Sequence, residues 1–136
     1  MDAGVAQACK ASELARHLSD TEIFLLVESE AFPKSGSERA FDPTRFQSPS
    51  ITKRVGDLHG VERALEGLLK KDFLARLGEL VHATAKGNTV KHAFHDVRAA
   101  MTLQGADPSE SRTVHFGAKM RKEMQRICKR NQAAAA

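Results

Sequence analysis

The chain has no tryptophan and no tyrosine, and only seven phenylalanines among 136 residues. Proteins that hold single-stranded nucleic acid stack bases on aromatic platforms, so that mode of recognition has little to work with here. Cysteine is scarcer still. Cys9 and Cys128 are the only two, and no CxxC or Cys/His pair stands at zinc-ligand spacing. Separate, reduced thiols in an intracellular compartment are therefore expected. No apolar run approaches the roughly 18 residues of a membrane span. The opening MDAGVAQACKASEL carries an early acid and lacks a signal-peptide core, so neither a membrane partner nor secretion is expected. A Gly-rich phosphate loop and a nucleophile motif are both missing, and GNT at 87–89 is too short to be such a loop. The expectation is a non-enzyme with no cofactor and no small-molecule substrate.

What is present is charge, unevenly spread. Residues 1–50 hold five Lys/Arg and eight Asp/Glu, net −3, whereas residues 51–136 hold 16 against nine, net +7. From Arg112 to Asn131 seven basic residues stand with a single acid, Glu123. A basic end of this kind suits a polyanion, most commonly nucleic acid; a solvated basic helix is the plainer alternative.

Val5 to Leu18 reads as a short helix. Ser19 and Glu22 of SDTE form a capping box for a second helix over about Asp20–Phe32, which carries IFLLV and stops before Pro33. Pro33–Ser50 has three prolines and reads as a connector, long for a compact domain. From about Leu58 to Lys86, Val61, Leu65, Leu68, Leu69, Phe73, Leu77, Leu80 and Val81 recur at three- and four-residue steps. That periodicity predicts one long helix of about 43 Å, stopped by Gly87-Asn88. After a TVK turn, a short helix carries Phe94, Val97 and Met101 on one face and ends at Gly105. ADPSE restarts a helix with Asp107 as cap and Pro108 in its first turn. Gly117–Asn131 reads as a basic amphipathic helix with Met120, Met124 and Ile127 inward, followed by a low-complexity alanine run. The long apolar stripe exceeds what two short helices can cover, which predicts a second chain against Leu65, Leu69, Phe73, Leu77, Val97 and Met101. The chain thus divides into an acidic N-terminal part, 1–50, a core, 51–105, and a basic helical extension, 106–136.

KRV at Lys53–Val55, NTVK at Asn88–Lys91 and DVRAAM at Asp96–Met101 resemble the first loop, second loop and third-helix start of core histones. The order of short helix, loop, long helix, loop and short helix over roughly residues 20–105 is similar to the histone fold. The resemblance implies an all-α histone-fold core with an extra N-terminal helix and a basic C-terminal helix. The type would be a divergent or viral-type histone, or a histone-fold subunit of another complex. It also implies a heterodimer with another histone-fold subunit, its paired loops facing duplex DNA. Arg54 would border the minor groove, Thr89 would support it, and Lys53, Lys86 and Lys91 would contact phosphate. Arg121 and Lys122 of the basic helix join them as candidate DNA contacts. Such a protein packages or coats DNA without base readout, in a nucleus or a chromatin-like particle, a virion included. The alternative is a helical scaffold subunit of a larger assembly with no DNA role. His82, His92 and His95 invite a metal, but no ligand set completes a tetrahedral site in sequence, and they read as surface or partner-facing histidines.

Overall fold

The computed structural model describes residues 3–135, with side chains over 6–130. Its described elements are α1 (Ala3–Ala15), α2 (Asp20–Glu28), α3 (Pro49–Val55), α4 (Leu58–Lys70), β1 (Leu74–Leu77), β2 (Leu80–Ala83), α5 (Ala85–Leu103), α6 (Pro108–Ser111) and α7 (Phe116–Ala135). The protein is mostly helical, as expected, with one small sheet that helical periodicity does not announce.

α2 is the hub. Ile23 to Val27 are all buried, the mark of a helix enclosed on every side, and α4, α5 and α7 all pack on it. Its start is the expected capping box: Ser19 Oγ accepts from the Glu22 amide at 3.1 Å, and the Glu22 carboxylate accepts from the Ser19 amide at 2.8 Å. The connector is not a loose strap. Phe41 and Phe46 from it are buried and meet Phe32 edge-to-face, with ring centroids 5.0–5.6 Å apart. Phe41 also exchanges both backbone hydrogen bonds with Val81, so the connector adds a rung to the hairpin of β1 and β2.

The long helix expected over 58–86 is not formed. α4 ends at Lys70 because Asp72 takes a left-handed φ of 69°, and the chain closes back on the helix. The Phe73 amide donates to Leu68 O and the Asp72 amide to Leu69 O, the Schellman pattern, with buried Phe73 packed at the helix end. β1 and β2 then pair antiparallel with Leu77 opposite Leu80. The two-residue turn is Gly78-Glu79, and Gly78 supplies the positive φ of 62° that such a turn needs. Gly87-Asn88 does not stop a helix but lies in the first turn of α5, and the TVK segment is helical too. Thr84 caps that helix by accepting from the Gly87 amide at 3.2 Å. Gly87 is required there: a Cβ would lie 1.9 Å from Phe73 O. The central element of a histone fold is therefore absent, replaced by helix, hairpin and helix.

The stripe assigned to a second chain is largely covered within this one. Phe73 and Val97 are buried, and Leu65, Leu69 and Met101 pack partly buried against the core. Leu77 alone of that set stands out, 44% exposed at the hairpin tip. The cysteines differ from expectation as well. α1 and α7 pack together and bring Cys9 and Cys128, 119 residues apart, into a disulfide with Cα atoms 5.1 Å apart. The premise of free thiols behind an intracellular, reducing location is thereby removed. The last helices match: Asp107 caps α6, and Met120 and Met124 of α7 are buried with Ile127 beside them.

Candidate nucleic-acid interface

α3 begins with Pro49 in its first turn, where a missing amide does no harm, and buries Ile51. Gly56 ends it with a φ of 115°, a conformation costly for any residue with a side chain. Asp57 is extended and starts α4 at once, its carboxylate accepting from the Gly60 amide at 2.6 Å. The two helices are thus joined by only two residues, one a glycine of positive φ, and pack against each other. α4 turns Val61, Ala64 and Leu68 into the core. Its opposite face, at three- and four-residue steps, carries His59, Glu62, Arg63, Glu66 and Lys70, all exposed. Among the described residues none of these five has an ion-pair partner.

The hairpin follows α4 directly and projects Arg76, Leu77 and Glu79 outward. Its root is fixed from three directions. Lys71 pairs with Glu22 of α2 at 2.8 Å, Thr84 Oγ1 donates to Asp72 O at 2.6 Å, and Lys86 Nζ donates to Lys71 O at 3.1 Å. Lys86 also lies 4.9 Å over the Phe73 ring. The turn between α4 and β1 is thus locked, and the hairpin is held in a set relation to the helix.

The residues expected to touch DNA do not come together. Lys53 is exposed and Arg54 half-buried, both on α3. Lys86 is occupied by the contacts just given, and the Thr89 hydroxyl donates to Ala85 O within α5. Lys91 is a correction: its side chain is only 7% exposed and pairs with Glu30 at 2.9 Å. Burial works against the Glu30 charge, yet the ion pair with Lys91 and the nearby Lys34 hold its carboxyl below the ordinary range. Arg121 is another correction. It pairs with Asp20 at 2.9 Å and donates to Ala15 O and Leu18 O, closing the end of α1, where orphan carbonyls need donors. Of the α7 candidates only Lys122 is left exposed without an ion pair among the described residues.

His82 lies on β2, while His92 and His95 lie on α5; among the described residues no group of three or more His, Cys, Asp or Glu side chains could hold a metal ion. No described helix is long and apolar enough to cross a membrane. A surface concavity of about 710 Å³ lies between α1, α5 and α7, lined by Val97, Met101 and Ile127 and by the polar Asp96, Glu123 and Arg126. Sequence reasoning passes over Glu62, Arg63, Glu66 and Arg76, which fall on the polar side of a supposed long helix. The available signal is Gly56-Asp57 before a helix and Gly78-Glu79 after it, two turn dipeptides 22 positions apart. No protein-family model, no curated protein and no solved structure matches the chain.

Proposed function

We propose that this chain binds duplex DNA, with α4 as the helix that enters the major groove and α3 lying across the backbone. The observation that carries the reading is the two-residue Gly56-Asp57 turn between α3 and α4, an arrangement that resembles a helix–turn–helix, beside an outer face of α4 that is exposed and has no ion pair among the described residues. In that arrangement the second helix offers its N-terminal residues to base edges while the first one crosses phosphates. Lys53 and Arg54 of α3 then serve as phosphate contacts, and Arg76 on the hairpin reaches the backbone beside the groove. Lys86, Thr89, Lys91 and Arg121 have no part in it, because the protein's own groups occupy them. A histone-type packaging role needs the central helix that ends here at Lys70, so the duplex-binding half of that expectation is kept on Lys53 and Arg54 and extended to the α4 face and Arg76. The reading is of a binding module, with no catalytic step.

The test is a titration of the full chain with duplex DNA at two salt concentrations, wild type beside Arg63→Ala. The reading expects salt-sensitive binding that Arg63→Ala weakens by about tenfold, the worth of one good base contact. Absence of binding at both salts sinks it. The other class, a protein-binding helical scaffold, would then rest on the groove of α1, α5 and α7 that holds Val97 and Met101.

A further inference from the structure

The make-up of the α4 face bears on what kind of duplex it takes, granted the duplex-binding reading on which this step rests. His59, Glu62, Arg63, Glu66 and Lys70 include two full cations and two carboxylates, so the face has no net charge apart from the histidine. A surface built only to grip phosphate would not put Glu62 and Glu66, one helical turn apart, on the side that meets the polyanion. Each is repelled there, and among the described residues neither has an ion-pair partner. Six other carboxylates are tied off within the fold. Asp20, Glu22, Glu28, Glu30, Glu110 and Glu123 all have a lysine or arginine partner. Glu66 and Lys70 stand at the i, i+4 spacing that favours pairing, yet they are not paired either.

In the major groove a carboxylate has one matching partner among the bases of a G·C pair. The cytosine N4 amino group donates, whereas guanine presents only the acceptors N7 and O6. A thymine O4 repels it as well, and adenine, though its N6 amino group donates, sets the acceptor N7 beside it. Arg63 has the complementary preference, since its fork matches guanine O6 and N7. We infer that the outer face of α4 reads a specific G·C-containing sequence, with Arg63 donating to guanine and Glu62 and Glu66 accepting from cytosine amino groups. The carboxylates then act twice. They hold the wanted base, and they lower affinity for every duplex that puts an acceptor in its place, which is how specificity rises without a gain in total affinity. This departs from the sequence-tolerant coating expected of a histone-like protein.

The experiment is selection of bound duplexes from a random pool by the full chain, for wild type, Glu62→Ala/Glu66→Ala and Arg63→Ala. All three positions are exposed, and equal thermal melting of the three proteins establishes that each is folded. Wild type is expected to enrich a motif containing cytosine and guanine. The double variant is expected to lose preference at the cytosine positions by about tenfold or more, while binding unselected duplex as well as wild type or better. Arg63→Ala is expected to relax a guanine position instead. A wild type that binds duplex without enriching a motif overturns the inference and leaves the DNA reading in place. So does a double variant that selects the same motif as wild type, because the carboxylates would then be bystanders. A wild type that retains no duplex overturns both.

Discussion

The two most cationic helical regions of this protein make opposite use of their charge. α7 and the residues leading into it are the richer in Lys and Arg, but most of that charge is spent internally. Arg112 pairs with Glu28, Lys119 with Glu110, Arg121 with Asp20 and Arg126 with Glu123. α3 and α4 carry fewer basic residues, and Lys53, Arg54, Arg63 and Lys70 all lack an ion-pair partner among the described residues. The acidic N-terminal half explains the difference. Asp20, Glu22, Glu28 and Glu30 reach across to Arg121, Lys71, Arg98 with Arg112, and Lys91. An uneven distribution along the sequence becomes a set of ties across the fold. Net charge is thus a poor guide to charge on offer; what counts is which cations the fold leaves without a carboxylate.

Breaking a tie should cost the most. Glu28 is 4% exposed, and Glu28→Ala leaves Arg98, itself only 17% exposed, without its partner. Stability in chemical denaturation is expected to fall by about 3 kcal/mol, with duplex affinity of the folded fraction unchanged. A fall in affinity equal to that of Arg63→Ala would erase the distinction between the two regions. Gly56→Ala comes next. A Cβ there meets nothing within 4 Å, so the cost is the positive φ alone, about 1–2 kcal/mol. Because that strain sits in the turn between α3 and α4, duplex binding should weaken along with the melting temperature.

A third comparison sets free cations against free cations. Lys53→Ala/Arg54→Ala should lower the slope of log affinity against log salt by about one for each phosphate no longer neutralised. Lys122→Ala/Lys129→Ala should leave that slope unchanged, and an equal drop would return α7 to the interface. The smallest effect is on pH. Glu30 and Glu123 are held below their ordinary range; for Glu30 burial opposes the shift and Lys91 prevails, and for Glu123 the hydrogen bond from Arg126 dominates. A carboxylate with a lowered folded pKa adds stability that is complete above the unfolded value and lost as pH falls through the folded one. Melting temperature should therefore decline from about pH 4.5 downward, and Glu30→Gln should flatten part of that decline.

What is legible in the sequence is what is decided locally. The Ser19–Glu22 box, the Asp107-Pro108 start and the inward Met120 and Met124 each depend on neighbours within a turn or two. The stretch from Leu58 to Lys86 reads wrongly as one helix because Leu77, Leu80 and Val81 continue the helical spacing of Leu69 and Phe73 and serve hairpin pairing equally well. The deciding contacts are distant ones: Phe41 with Val81, and Thr84 with the backbone at Asp72 and Phe73. The same limit applies to the candidate site. Lys91 and Arg121 look free as letters, and only the folded chain places Glu30 and Asp20 beside them.

The bond between Cys9 and Cys128 makes all but the two ends of the chain a closed covalent ring. A protease that cuts the exposed turn at Gly36–Arg39 would open the ring without dividing the molecule. Its two pieces would migrate as one band until a reductant is added. α3, α4 and the hairpin lie together on one piece, α1 and α2 on the other, and the ring would keep the two pieces joined.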